Sequence, residues 1–323
     1  MAYIEERERN GIKYVYLRKS VKYKNNVHKI SKFLGRKADI TKKRLKKEIK
    51  KFNLIISDRI VTLRLKEIKK NFDIKYPIIL EEIKKIEEMN FKYKEIKTSL
   101  KKEDWEDIKK RFIANFVFES NALEGNSLTL KNFSEIIFEN KIINSADLRE
   151  VYDAKNSYEV FSKLFSGRKD IDEQLILNLH KKIMKNIDTR IGYKKLPNIL
   201  LGRRIELAKP ENVPKQMKLL LSWYKKNSEK LYPLELAFKF HHKFEQIHPF
   251  SDGNGRVGRM LLNYILIKHG YYPIIIRKSQ RIKYLKALEA ADNKQYIPLM
   301  RFALEKTKET YRNFFEIYYK YLD

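Results

Sequence analysis

Along most of the chain, apolar residues return every third or fourth position, the spacing that lays them on one face of a helix. Leu45, Ile49, Phe52 and Ile56 begin the series, Ile60, Leu63, Leu65 and Ile68 continue it, and Ile79, Ile83 and Ile86 form a further stripe. Pro77 and the Asp104-Trp105-Glu106 helix start punctuate this region. Phe112, Ile113, Phe116, Val117 and Leu123 mark another helix, stopped by Gly125. Leu236, Phe240, Phe244 and Ile247 line a helix over 233–247, and Met260, Leu261, Tyr264 and Ile265 line one that begins at Arg256. All these stripes read as core or partner-helix faces.

Two segments depart from the helical period. KYVYLRKSVKYKNNVHKISKFLG, within residues 1–36, alternates apolar and basic residues, with Asn25-Asn26 as a turn between two extended runs. It reads as a small antiparallel ribbon, apolar on one face and basic on the other, that must pack on something to be stable. The second departure is KKLPNILLGRRIELAKP (194–210). There Asn198-Ile199-Leu200-Leu201 and Arg204-Ile205-Glu206-Leu207 flank Gly202-Arg203 as the arms of a hairpin. An exposed hairpin edge is what peptide-binding proteins use for strand addition. The fold class is therefore mainly α: a helical bundle with a β-hairpin flap, preceded by a small N-terminal β-ribbon and a helical region. The expected divisions are a basic ribbon over 1–36, a helical region over 37–105 and the main domain over 106–323.

Composition narrows the classes. The 323 residues are 43% hydrophobic, enough for a substantial core, and 10 glycines with 8 prolines leave little room for an all-β or disordered chain. No apolar run is long enough to cross a bilayer, and the N-terminus lacks the apolar stretch of a secretory signal, so a cytoplasmic protein without a membrane partner is expected. With no cysteine there is no disulfide, zinc knuckle or thiol nucleophile. The net charge of +30 favours anions in general but names no partner. Lysine-rich surfaces also accompany adaptation to heat.

The chemistry gathers in HPFSDGNGRVGR, residues 248–259. Pro249 ends the preceding helix, because the residue before a proline is pushed out of the α region, so His248 projects into a loop. Gly253 and Gly255 permit left-handed backbone and close approach, and the next helix start offers successive N–H groups to an anion. Arg256 and Arg259, three apart, lie on one face. Two guanidiniums at a helix N-terminus oppose its dipole and make sense where a polyanion such as a triphosphate binds. Asp252 alone cannot cage a metal, but one carboxylate plus substrate phosphates is the usual way Mg²⁺ is held. His248 is the nearby group able to accept a proton near neutral pH. The lysine and Ser/Thr of a Walker loop are missing.

HPFSDGNGRVGR matches the Fic-family signature H-x-F-x-[DE]-G-N-[GK]-R-x-x-R at every specified position. GYKKLPNILLGRR resembles that family's flap, and GYYPIIIRKSQRIKYLKALEAAD resembles its downstream helices, so the likeness covers about residues 108–310. The resemblance implies transfer of AMP from ATP to a protein hydroxyl with Mg²⁺ or Mn²⁺. His248 would be the base and Asp252 the metal ligand. Gly253, Asn254 and Gly255 would form the anion nest, Arg256 would hold the phosphates and Arg259 the γ-phosphate. Asn198, Ile199, Leu200 and Leu201 would align the target segment. Lys194 stands where many relatives have arginine, and AKPENVP replaces a more proline-rich run, which bears on target choice.

A second motif lies upstream. Glu124 falls in the last turn of the 112–124 helix, where its charge opposes the dipole by roughly 0.3–1 kcal/mol, so a cation is expected to meet it. Ser120 is four residues earlier on the same face. SNALEGN resembles the Fic inhibitory motif [ST]-x-x-x-E-[GN] of the N-terminally self-inhibited class. In that class the glutamate pairs with the second arginine, here Arg259, and displaces the γ-phosphate. The resemblance therefore implies a self-inhibited adenylyltransferase acting on an unknown protein target and on itself, with dimerisation common among relatives. Two alternatives stay open: removal of AMP by the same site, and a basic nucleic-acid-binding regulator with the Fic core as its sensor.

Overall fold

The computed structural model of the chain describes residues 3–23, 26–141, 143, 146–167, 169–199 and 205–322. At the N-terminus β1 (Tyr3–Arg9), β2 (Ile12–Tyr23) and β3 (Asn26–Arg36) form an antiparallel sheet in the order β1-β2-β3. The expected two-stranded ribbon is thus a three-stranded sheet. The additional strand, YIEERER, is dominated by charge and has little strand propensity. Its signal is the Asn10-Gly11 pair that follows. Both residues have positive φ, 50° and 74°, as the hairpin turn matching strand twist requires, and Arg9 pairs with Ile12. Asn26, expected in a turn with Asn25, opens β3 opposite Tyr23, while Asn25 lies outside the described residues.

Alternation sorts the two faces of the sheet. Val15, Leu17 and Leu34 are buried against Phe52 and Ile56 of α1 (Lys42–Asn71). This helix is continuous over 30 residues and starts at Thr41, whose hydroxyl accepts the Arg44 N–H at 3.2 Å. Its first half packs on the sheet, and near its far end Ile68 enters the main core. The stripe expected through Ile60, Leu63 and Leu65 is only half-buried; Val61 and Ile68 make the deep contacts instead.

α2 (Leu80–Ser99) lies beside α1 and is tied to the rest of the molecule by Glu87. That buried carboxylate accepts the hydroxyls of Tyr232, at 3.1 Å, and Tyr271, and Arg64 lies 3.6 Å from its other oxygen. Three partners from different parts of the chain thus satisfy one charge that would be costly to bury alone.

The main core is built around one helix. After α3 (Lys102–Leu123), α4 (Leu130–Phe138), α5 (Leu148–Ser166), α6 (Glu173–Ile183), α7 (Val213–Asn227) and α8 (Pro233–Ile247) comes α9 (Asn254–Lys268). Thirteen of its fifteen residues are buried, because α3, α5, α6 and α8 all pack on it. α10 (Arg281–Asp292) and α11 (Tyr296–Thr310) follow, and a wide turn over Tyr311–Phe315 leads to α12 (Glu316–Lys320). Among the described residues no helix is long and apolar enough to cross a membrane.

Residues 194–199 and 205–209 carry no strand. The rest of the expected hairpin, including Leu200 and Leu201, lies outside the described residues. The described first arm is bound to the loop after α8. The Lys194 N–H donates to the Pro249 carbonyl at 2.9 Å, and the Asn198 amide donates to the Phe250 and Ser251 carbonyls at 3.0 and 3.2 Å.

The sheet hangs on a core of five residues, Val15, Leu17, Leu34, Phe52 and Ile56. Phe52→Ala, costing about 3–5 kcal/mol, is expected to release β1–β3. Amide exchange read residue by residue should show loss of protection in 3–36 with α8 and α9 unchanged.

Candidate active site

α8 ends where His248 turns left-handed, at φ 49° and ψ 61°, with its N–H still donating to the Phe244 carbonyl at 2.9 Å. Phe250 then plunges into the core and stacks on His180 at 3.8 Å between ring centres. His180 accepts the Gly192 N–H at Nδ1 (3.4 Å), leaving Nε2–H to donate to the Asp252 carbonyl at 3.1 Å. Burial, only partly offset by that carbonyl, lowers its pKa to about 4, so the ring is neutral at physiological pH. Asn254 closes the loop: its side-chain oxygen accepts the Phe250 N–H and its amide donates to the Phe250 carbonyl, both at 2.8 Å. The side chain of Asn254 is therefore structural, and only its backbone N–H is left to meet an anion.

Gly253 sets the first residue of α9 through a left-handed φ of 80°, and a Cβ there would stand 3.0 Å from the Met184 sulfur. Arg256 and Arg259 follow in the first turns of this enclosed helix. Arg256 is 4% exposed and lies between two carboxylates, Asp153 on α5 and Asp252 at 3.0 Å. Burial opposes its charge, but the two carboxylates outweigh burial and its pKa is raised. Expected to meet phosphate, Arg256 is thus bound to acids of the protein itself. The reason is physical, since a guanidinium this deep cannot stand alone. Asp252 also takes Arg149 at 2.5 Å. Burial would raise the Asp252 pKa, yet Arg256, the Gly253 N–H and Arg149 hold it below the ordinary value.

Arg259 is equally buried and fully engaged from α3. Its Nε donates to the Ser120 hydroxyl at 2.9 Å, one Nη donates to the Ser120 carbonyl at 2.8 Å, and the other reaches Glu124 at 2.7 Å. The cation expected to meet Glu124 is therefore Arg259, brought 135 residues along the chain. Arg281 adds a second, donating to the Leu123 carbonyl at 3.1 Å at the same helix end. Glu124 caps α3 and lies on the first turn of α9. A Cβ on Gly255 would stand 2.1 Å from its carboxylate oxygen, so only glycine admits the contact. Burial raises the Glu124 pKa, but Arg259 and then Arg256 outweigh it and leave the group below its ordinary value.

Glu124, Arg259, Gly255 and His248 line one recess of about 110 Å³, closed by Tyr284 and Leu288 of α10. A larger groove of about 750 Å³ lies between 205–209 and α7 and holds none of these residues. Glu245, one turn before His248, sits 3.7 Å from its Nδ1. Among the described residues no group of three or more His, Asp or Glu side chains could hold a metal. Of the residues named from the sequence, His248, Asp252, Gly253, Asn254, Gly255, Arg256, Arg259, Glu124 and Ser120 meet around the start of α9. Asn198 touches the loop, Ile199 is exposed, and Leu200 and Leu201 lie outside the described residues. Sequence reading missed Asp153, Arg149, His180 and Glu245. The i, i+4 spacing of Arg149 and Asp153 puts them on one face, but nothing local says that they meet Asp252 and Arg256.

Fold and site define a class: a helical core whose enclosed central helix opens on a glycine-flanked loop, with a histidine before it and two arginines after it. Residues 170–266, from before α6 to nearly the end of α9, match the model of the Fic/DOC family. A protein adenylyltransferase Fic from Nematostella vectensis is 30% identical over 200 residues, covering 60% of this chain and 47% of the relative. The protein adenylyltransferase fic-1 of Caenorhabditis elegans is 28% identical over 206 residues, 62% of this chain and 40% of its own. The chain therefore spans less than half the length of these curated relatives. A Fic-domain signalling protein from Bacteroides thetaiotaomicron superposes with a TM-score of 0.65 at 27% identity, over 70% of this chain and 95% of that one. Fic-1 of C. elegans shares the fold, with a TM-score of 0.64 at 21% identity over 73% of this chain and 71% of that one.

The depressed Glu124 pKa carries a signed consequence. A carboxylate lowered by its partner favours the paired state above its ordinary value of 4.5 and loses that contribution as pH falls through the lower folded value. Carbon-detected titration of Glu124 should give a midpoint below 4.5 in the wild type and a higher one in Arg259→Ala.

Proposed function

We propose that the protein is a self-inhibited protein adenylyltransferase that moves AMP from ATP to a hydroxyl on a protein target, itself included. The observation that carries the reading is the Glu124–Arg259 pair at 2.7 Å, seated on Gly255 in the recess beside His248. ATP would lie with its phosphates over the N–H groups of Gly253, Asn254 and Gly255 at the positive end of α9. The target hydroxyl oxygen attacks the α-phosphorus, the bond from that phosphorus to the β-phosphate bridging oxygen breaks, and pyrophosphate leaves. His248 takes the hydroxyl proton.

Arg256, held charged beside Asp252, would hold the phosphates, and Arg259 would grip the γ-phosphate. Asp252 fits Mg²⁺ or Mn²⁺: its carboxylate is one-third exposed, held ionised, and next to the phosphate cradle, with further oxygens due from substrate and water. Such a cation, when bound, neutralises phosphate charge. Residues 198–201 would present the target segment by strand addition, as Asn198 already ties this arm to the loop after His248.

Inhibition follows from the same geometry. Glu124 takes the hydrogen-bonding edge of Arg259 that a γ-phosphate needs and sets a negative charge where that phosphate would lie. Ser120 holds the guanidinium in place. ATP then loses an anchor and binds with its α-phosphorus out of line.

Glu124→Gly is expected to raise AMP transfer from labelled ATP with Mn²⁺ by about 10²-fold, the worth of one restored transition-state donor. An unchanged rate would sink the inhibitory role. In that activated background His248→Ala should lower transfer by at least about 10²-fold, and retained turnover would refute the base. Mass spectrometry of the labelled products would identify which hydroxyl carries AMP.

A further inference from the structure

The N-terminal sheet has a second face, opposite the one that packs on α1. β2 buries Val15 and Leu17 on α1, so its alternate residues Tyr14, Tyr16 and Arg18 point the other way. Register puts Phe33 directly opposite Tyr16, with ring centres 5.1 Å apart, and Tyr14 stands 5.9 Å from the same phenylalanine. The three rings make a contiguous row. Phe33 is 55% exposed although it has no polar atom to offer water.

The row is set in positive charge. Cross-strand pairing brings Arg7, Arg9 and Arg18 to this face from β1 and β2, and Lys29 and Arg36 from β3, against a single acid, Glu5. Arg7 and Arg18 both lie 5.7 Å from the Tyr16 ring centre. The imbalance extends into the first half of α1. Residues 1–51 hold 18 lysines and arginines and five acidic residues, so 13 of the chain's 30 net positive charges fall in this short stretch. Surface patterns shared by the whole chain account for scattered lysines, but not for an exposed Phe33 and two half-buried tyrosines interleaved with arginines on one sheet face.

We propose that this face binds single-stranded nucleic acid. Rings lying open on a sheet stack on unpaired bases, and arginines around them meet the backbone phosphates. A duplex keeps its base faces stacked inside and would use the charge but not the rings. The site is separate from the recess at His248 and does not depend on the AMP-transfer reading.

The test is fluorescence anisotropy of the full chain with a labelled mixed-sequence single strand of about 15 nucleotides, the upper range for such platforms, beside the same sequence as a duplex. The single strand should bind more tightly, with affinity falling steeply between about 50 and 200 mM salt. Phe33→Ala and Tyr16→Ala should each weaken single-strand binding by about fivefold or more, the loss of one stacked base, with Phe33→Trp retaining it. Arg36→Glu should flatten the salt dependence by about one charge or more. A thermal melt checks that each variant is folded, and His248→Ala should bind as the wild type does. No binding at about 50 mM salt, a duplex bound as tightly as the strand, or Phe33→Ala and Tyr16→Ala binding unchanged would overturn the proposal.

Discussion

Two guanidiniums buried in the opening turns of an enclosed helix impose the constraint on which the rest of the molecule depends. The start of α9 already bears the positive end of a helix dipole, so Arg256 and Arg259 add charge where it is least welcome. At about 4% exposure they cannot turn to water for relief. Each must be met by oxygen atoms from elsewhere, and this requirement determines the neighbours. Asp153 brings α5 alongside and Asp252 folds the loop back on its own helix, while Ser120 and Glu124 set the end of α3. Removal of one partner from such a pair leaves a stranded charge, which is far costlier than the pair is stabilising.

The two arginines are nonetheless held differently. Both acids of Arg256 belong to the permanent scaffold: one projects from a helix packed on α9, and the other sits in the loop clamped by Asn254. Arg259 has one permanent partner, Ser120, and one that caps a helix end and is two-fifths exposed to the recess. Displacing Glu124 requires no core rearrangement, only that another anion offer the same two things, charge and hydrogen-bond acceptance. Gly255 leaves the first turn of α9 bare, so the Glu124 carboxylate can lie against it.

Much of this was legible in the chain. The apolar periods placed α8, the break at Pro249 and the run of α9, and the SNALEGN and HPFSDGNGRVGR segments named both ends of the Glu124–Arg259 contact. Local chemistry leaves its mark on local sequence, so caps, turns and nests can be read directly. Asp153 could not be read in this way, because an aspartate on a helix looks the same whether it faces water or a buried arginine 103 residues away. β1 was hidden for a different reason: its alternation carries charge in place of hydrophobicity, and only Asn10-Gly11 reveals that the chain turns back there. The described residues of the expected hairpin bind the loop after α8 and form no strand, a tertiary preference that its alternating pattern does not contain.

The unbroken run of α1 has a mechanical meaning. At 1.5 Å per residue its 30 residues make a strut of about 45 Å, with one end packed under the sheet and Ile68 near the other end embedded in the main core. α2 braces it along the way, through Phe91 near the sheet and Glu87 near the core. A flexible tether would let whatever rests on the sheet wander over a wide volume around the recess. A braced strut fixes the reach instead: a cargo on the sheet is kept at a set radius and bearing, and its local concentration at the recess is decided by geometry and not by diffusion of a linker.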